Sequence, residues 1–142
     1  MGRLAARLAE VTALRGRVQG AAKLAQMLKD KTLPQACPAA FELPLGITGN
    51  QPTAASGMFV QPVGRVDGVL LVVRSVDDRT GEKAMVQLDP LIEAVIAAIV
   101  GWGPDDMPGV YQLMKGELAS VADGVVAYQL DFSIFDQLRV HR

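Results

Sequence analysis

The 142-residue sequence predicts a single α+β domain, a mostly antiparallel β-sheet with α-helices packed on one face. Three observations predict this class. Two stretches near the N-terminus and one after residue 81 have helical periodicity. The middle of the chain is rich in β-branched residues, and the C-terminal segment alternates strictly between apolar and polar residues. Half of the residues are apolar and a fifth are charged, which suffices for a core and argues against disorder.

The first two predicted elements are helices. Residues 1–18 carry apolar side chains at three- and four-residue spacing, which predicts one amphipathic helix. Residues 21–29 predict a second, short helix that ends before Pro34. The apolar positions are Leu4, Leu8, Val11, Leu14 and Val18 in the first helix, and Leu24, Met27 and Leu28 in the second.

Three strands are predicted next. Residues 39–45 form a strand that Pro44 restricts to a sheet edge or a strand end. Residues 58–63 and 69–76 form two more strands, and Asp67-Gly68 between them has the composition of a hairpin turn.

Two polar segments flank these strands. Residues 46–57 predict a long loop, which is either a mobile surface loop or an arm that contacts a partner. Residues 77–81 predict a second polar loop. The candidate subunit or partner contacts in these segments are Thr48, Asn50, Gln51, Asp78 and Arg79.

The main helix is predicted over residues 82–100. Its apolar stripe continues through Pro90, so that we prefer one bent helix to two separate helices, and we expect it to be largely buried. Gly101 is a good left-handed stop and Pro104 prevents continuation. We expect Trp102 to fold back as a core anchor beneath the sheet; a subunit interface is the alternative role.

The C-terminal hairpin has the best-determined predicted register. A three-residue loop, 122–124, with Gly124 left-handed in a G1 bulge, keeps the apolar residues on one face, whereas a two-residue loop mixes the faces. The predicted core-face pairs are Leu118–Tyr128, Gly116–Leu130 and Met114–Phe132. The predicted outer-face pairs are Lys115–Asp131 and Glu117–Gln129.

Composition argues against most chemical functions. The formal net charge of -1 gives no general attraction for nucleic acid or an anionic membrane. One cysteine, Cys37, and one histidine, His141, cannot supply a disulfide, a Cys/His zinc set or a catalytic triad. The pairs Asp77-Asp78 and Asp105-Asp106 are typical of solvated loops. We expect no enzyme activity, no metal and no cofactor, and an intracellular protein without a membrane anchor.

Several motifs, in order, resemble a known family. "VQGAAKLAQML" and "PAAFELPLG" occur in the first half. In the second half, an apolar helix runs into "AAIVGWGP" and is followed by strands ending "MKGEL" and "VVAYQLDFSI" and by the basic end "LRVHR". Together they resemble the tail terminator (tail-completion) proteins of long-tailed bacteriophages over most of the chain.

The resemblance implies a structural virion protein. Members form a ring, usually a homohexamer, on the head-proximal end of the tail tube. The ring stops tube polymerisation and joins the tail to head-completion proteins of the neck, and DNA passes through its channel without sequence-specific binding. On this basis the outer hairpin face is a candidate channel lining: Lys115, Glu117, Gln129, Asp131 and Ser133.

Other functions remain open at this point. Another neck or head–tail connector protein is the nearest alternative. A small ligand-binding α+β domain of a bacterial cell is a more distant one.

Overall fold

The computed structural model describes residues 2–32, 34, 36–55, 57–75, 82–122 and 124–141. The predicted α+β class with a mostly antiparallel sheet is confirmed. In chain order the elements are α1 (Ala5–Leu8), β1 (Val18–Gly20), α2 (Ala21–Asp30), β2 (Ala39–Gly49), β3 (Thr53–Ala55), β4 (Met58–Arg74), α3 (Glu82–Ile99), β5 (Gln112–Ala122) and β6 (Val125–His141). The helices do not pack on one face as predicted, because α2 lies on the face opposite to α3.

A long central ribbon organises the sheet. β4 and β6 are each 17 residues long and pair along their whole length, from Met58–His141 to Arg74–Val125. The strand order is β1-β2-β4-β6-β5, and β3 pairs with β4 as well. Only the β1–β2 pair is parallel among the described strands. β2, β3 and β5 pair directly with this ribbon, and β1 is attached to it through β2.

The prediction of a hairpin turn at Asp67-Gly68 is wrong, because β4 runs straight through it. Asp67 is buried and accepts a hydrogen bond from the Tyr111 hydroxyl. Gly68 pairs with Asp131, and the side chain of Leu45 covers it closely. Long-range pairing of this strand thus overrides a local turn signal, since a turn here would break the ladder of β4 with β6.

The prediction of a long loop at residues 46–57 is also wrong. Residues 46–49 extend β2, and residues 53–55 form β3. Both segments pair with the same edge of β4, whose backbone groups need partners. Pro44 does lie on an open edge, because β1 reaches only as far as Glu42.

The N-terminal segment is not one helix as predicted. After the single turn of α1, a 3-10 turn at Thr12–Leu14 leads to left-handed residues Arg15 (φ 50) and Gly16 (φ 74), and then to β1. Glu42 is buried and accepts hydrogen bonds from the backbone N–H groups of Gly2 and Leu4. The apolar positions were nevertheless identified correctly, since all are buried: Leu4, Leu8, Val11, Leu14 and Val18.

The two longer helices follow the sequence more closely. α2 covers the predicted residues, and α3 continues through Pro90 as one helix. The expectation that α3 is largely buried is wrong, because only one stripe is buried and Val86 is 74% exposed. The buried stripe is Ala84, Leu88, Leu91, Val95 and Ile99.

The predicted hairpin register is confirmed for four pairs and wrong for the rest. Ala122 pairs with Val125, which is the shorter connection that the sequence argued against. An irregularity at Ala119 then shifts the register by one residue, and a second at Met114 shifts it again, so that Leu113 rather than Met114 faces Phe132. Gly124 has the predicted positive φ of 77°. The confirmed pairs are Leu118–Tyr128, Gly116–Leu130, Lys115–Asp131 and Glu117–Gln129.

The sheet has two unequal faces. The α3 face carries the main core, which α3 and the N-terminal segment cover. The opposite, α2 face carries a smaller cluster at one end, around Phe41, Val72 and Val125, with Leu24 and Met27 of α2 packed against it. No described helix is long and apolar enough to cross a membrane.

Candidate functional site

The five candidate channel residues lie together on the α2 face, beyond the part that α2 covers. The pairs Lys115–Asp131 and Glu117–Gln129 are side by side, and Ser133 faces Gln112. Gln129 donates a hydrogen bond to Asp131 Oδ1 (2.9 Å), and Gln112 donates one to Ser133 Oγ (3.1 Å). We call this the polar patch: Lys115, Glu117, Gln129, Asp131 and Ser133.

The polar patch is weakly acidic. It holds Lys115 against Glu117 and Asp131, a formal charge of -1, and Lys115 Nζ lies 3.5 Å from Glu117 Oε2. Such an exposed pair contributes little stability. Asp131 differs from its neighbours because it is buried, beside Gly68 and under Gln129. The patch therefore presents amide, hydroxyl and paired charges, a surface that is hydrated and has no net attraction for phosphate.

β5, which contributes Lys115 and Glu117 to this patch, has no buried residue. On its α3 face Leu113, Leu118 and Val121 are 42–45% exposed, although their partners Phe132, Tyr128 and Val126 on β6 are buried or half-buried. The prediction that this side of β5 belongs to the core is wrong for the single chain, because α3 lies over β4 and β6 and does not reach the edge strand. An apolar strip is left uncovered.

The helix stop after α3 has the predicted left-handed glycine, since Gly101 has φ +82. Its N–H donates to the carbonyl oxygen of Tyr111 (2.8 Å), and Tyr111 N–H donates back to that of Trp102 (2.8 Å). Trp102 is half-buried and packs against the main core. Its ring stacks on Tyr111 (6.0 Å between centroids, 11° between planes), and the Arg7 guanidinium lies 5.5 Å from its centre.

Tyr111 is the functional-loop residue that sequence reasoning missed. It is buried, and its hydroxyl donates to Asp67 Oδ2 at 2.6 Å. Burial and this acceptor raise its pKa well above the usual range. Two glycines allow the preceding loop to approach β6 closely: a Cβ on Gly103 would collide with the carbonyl of Gly109, and one on Gly109 would lie 2.6 Å from that of Phe135. The loop thus stacks tightly on β6, with Pro104 half-buried within it.

The candidate contact residues lie at the far end of the ribbon from α2. Thr48, Asn50 and Gln51 are exposed. The backbone of Asn50 is tied to β4, because its N–H donates to Pro62 O (2.9 Å) and Gln61 Nε2 donates to its carbonyl (3.1 Å). Asp78 and Arg79 lie outside the described residues.

Reactive groups do not converge in the described part of the chain. It contains no group of three His, Cys, Asp or Glu residues with metal-site geometry. Burial raises the pKa of the Cys37 thiol, although Arg74 and Arg17 oppose the rise. A cleft of about 520 Å³ lies between the N-terminal segment and α3 and includes Arg15, Arg17 and Cys37 in its lining. His141, Asp105 and Asp106 are exposed.

Comparison with known proteins identifies the family. The family model described as phage tail terminator protein matches residues 2–140, essentially the whole chain. A comparison with curated proteins gives no match. This family consists of structural proteins of the phage tail, which are virion components and not enzymes. The chain therefore belongs to the phage tail terminator family.

Proposed function

We propose that this protein forms a homohexameric ring on the head-proximal end of the tail tube. The ring stops tube polymerisation and presents its other side to a head-completion protein of the neck. The observation that carries the proposal is the match to the tail terminator family over residues 2–140.

The surface of the single chain supports assembly. β5 is an edge strand with 11 residues and an uncovered apolar strip. Exposed strand edges and apolar strips are normally protected in monomers, so that their presence favours a partner.

The polar patch suits the channel wall. DNA that moves through a channel needs a surface that does not hold phosphates, and a patch with formal charge -1 and hydrated side chains meets this need. In this arrangement the α2 faces of the subunits point inward, and DNA passes without base-specific contacts.

The far end of the ribbon suits contact with the tube protein or a neighbouring subunit. Thr48, Asn50 and Gln51 expose hydrogen-bonding side chains on a backbone that β4 holds in place. A rigid polar edge of this kind provides a preorganised docking surface.

Tube growth in vitro tests the main proposal. Purified tube protein is polymerised with and without this protein, and tube length and ends are measured by electron microscopy. We expect growth to stop and a ring to cap one tube end. Equal tube lengths and bare ends at saturating protein would contradict a terminator, and binding to the head-completion protein alone would favour a neck connector.

The channel assignment has a separate test. In Gln129→Lys with Glu117→Lys, the patch gains three formal positive charges, and we expect rings to form normally but DNA ejection to slow and to become salt-dependent. Gln129→Lys alone adds one charge, and Gln87→Lys, which adds one charge on the opposite side of the sheet, is its matched control. Unchanged ejection in both variants would place the patch away from the channel.

A further inference from the structure

We propose that α2 of one copy packs into a groove between β5 and α3 of the next copy. This assigns the subunit interface of the ring and rests on the proposed function. The groove and the helix are both left exposed by the single chain, at different places on its surface.

The groove exists because the helical layer is narrower than the sheet. The N-terminal segment lies over the β1–β2 side and α3 over β4 and β6, and the apolar residues of β5 on this face stay exposed. Strands lie about 4.8 Å apart and a helix is about 10 Å wide, so that a helix beside α3 rests on β5 and extends past the edge. The floor of the groove is the apolar strip of Leu113, Leu118 and Val121.

One flank of α3 forms the wall. The opposite flank faces the N-terminal segment, because Arg7 Nε donates to Ala98 O (2.6 Å) and Gln87 lines the cleft with Ala13. At 100° per residue, Met85, Ile92 and Ile96 lie on the flank toward β5. Met85 is 40% exposed, and Ile92 and Ile96 are half-buried.

The rim of this wall is acidic. Asp89 and Glu93 are exposed and one helical turn apart, directly outside the apolar flank. The only basic residue of α3, Lys83, is displaced from them toward the flank that faces the N-terminal segment. A partner for this groove should therefore have an apolar stripe with positive charge beside it.

α2 has these properties. It is a ten-residue helix without a buried residue, and Leu28 is 69% exposed. Ala21 and Ala25 lie on the same side as Leu28, which allows close approach to a sheet. Three exposed lysines oppose one aspartate between residues 21 and 31, a net charge of +2: Lys23, Lys29 and Lys31 against Asp30.

This contact is directional, as a ring of identical subunits requires. The groove is on the α3 face of β5, whereas α2 starts at β1 and lies on the opposite face, where Met27 and Leu28 at its end approach Ser120 and Ala122 of β5. The two surfaces cannot satisfy each other within a symmetric pair, so that each copy binds the next in one direction. Successive sheets overlap, and Lys29 of one copy lies beside Glu93 of the next, which favours this orientation of the two copies.

Two substitutions at exposed positions test the contact. Leu118→Asp damages the groove and Leu28→Asp damages α2, and each removes rings in native mass spectrometry, with tube protein added if the ring needs that template. Mixed together, the two variants form a one-to-one dimer, because one intact groove meets one intact α2. Ile47→Asp, at a comparably exposed position on β2 beside Thr48, tests the alternative subunit contact at the far end of the ribbon, and the groove proposal predicts that it leaves rings intact.

Charge reversal gives a test that misfolding cannot imitate. We expect Glu93→Lys and Lys29→Glu each to weaken the contact about tenfold, and the combined variant to recover to within about threefold of the original. Gln87→Lys, on the other flank of α3, is the control.

The outcomes separate the interface from the function. Rings that survive Leu118→Asp and Leu28→Asp, or a combined reversal without recovery, overturn the interface while terminator activity stands. Loss of rings with Ile47→Asp alone assigns the groove's role to the ribbon and also overturns it. Normal charge-dependent pairing without any cap on tube ends overturns the proposed function instead.

Discussion

β5 and β6 form one hairpin and share an alternation of apolar and polar residues, yet they lie in different environments. Along β6, Val126, Leu130 and Phe132 are buried beneath the main core, whereas the facing strand β5 has no buried residue. The difference arises because α3 covers β6 and stops there. An apolar alternation therefore identifies the face of a strand that is suited to burial. Whether that face is buried depends on the tertiary structure or on another chain.

The largest expected effect is the contrast between Phe132 and its hairpin neighbour. Phe132 is fully buried, and Phe132→Ala should lower the free energy of unfolding by about 3–5 kcal/mol. Leu118→Ala on β5 should cost less than about 1 kcal/mol in dilute, unassembled protein. Urea unfolding followed by Trp102 fluorescence measures both changes. Equal losses of unfolding free energy would contradict the claim that β6 is buried and β5 is not.

The next effect concerns the loop that anchors the start of β5 to β6. Gly109→Ala places a methyl group 2.6 Å from the carbonyl oxygen of Phe135, and should cost about 2–3 kcal/mol. Gly46→Ala, where a Cβ meets open space, is the control and should change stability by less than about 0.5 kcal/mol. Similar midpoints of urea unfolding for both variants would show that the loop is not tightly stacked on β6.

A smaller effect is expected from Tyr111→Phe, which removes the hydrogen bond to buried Asp67. The loss should be about 1–3 kcal/mol, because a buried acceptor loses its donor. Burial and Asp67 raise the pKa of Tyr111 in the folded state, so that the unfolded chain ionises first and stability falls as the pH rises above about 10. In Tyr111→Phe the fall in folding stability at alkaline pH should therefore be smaller. Tyr128→Phe should show the same fall as the unchanged protein.

The smallest effect tests the uncovered end of β6. Burial tends to raise the pKa of Asp136, but hydrogen bonds from Arg65 Nε and the Gln137 N–H, together with the charges of Arg65 and Arg3, hold it below the usual value. Ionised Asp136 therefore stabilises the folded state above pH ~4, and this stabilisation is lost as the pH falls through its lower folded pKa. Asp136→Asn should cost about 1 kcal/mol at pH 7, and the two stability curves should converge in acid.

Prediction from sequence succeeded where burial and periodicity coincide. The apolar positions of the N-terminal segment were identified, and so were four pairs of the hairpin. Their local conformation was less predictable: residues 1–18 combine α1, a 3-10 turn and β1, because left-handed Arg15 and Gly16 redirect the chain.

The errors in the middle of the chain have one cause. Asp67-Gly68 and residues 46–57 have the composition of a turn and a loop, but β6 and β4 offer long rows of backbone partners. Pairing across the sheet outweighs local propensity, and no window of neighbouring residues contains that information. The same holds for Tyr111, whose role depends on Asp67, 44 positions earlier in the chain.

The helix stop at Gly101, Trp102 and Pro104 separates what the sequence determines from what the tertiary structure decides. The sequence by itself determined that a helix ends there, that the chain is α+β and that a polar side of the hairpin exists, because these follow from local conformation and alternation. Only the tertiary structure decided that Trp102 stacks on Tyr111, that β4 continues through Asp67, and that β5 stays uncovered. Those outcomes depend on which distant surfaces meet, and contacts of that kind are made only when the whole sheet is assembled.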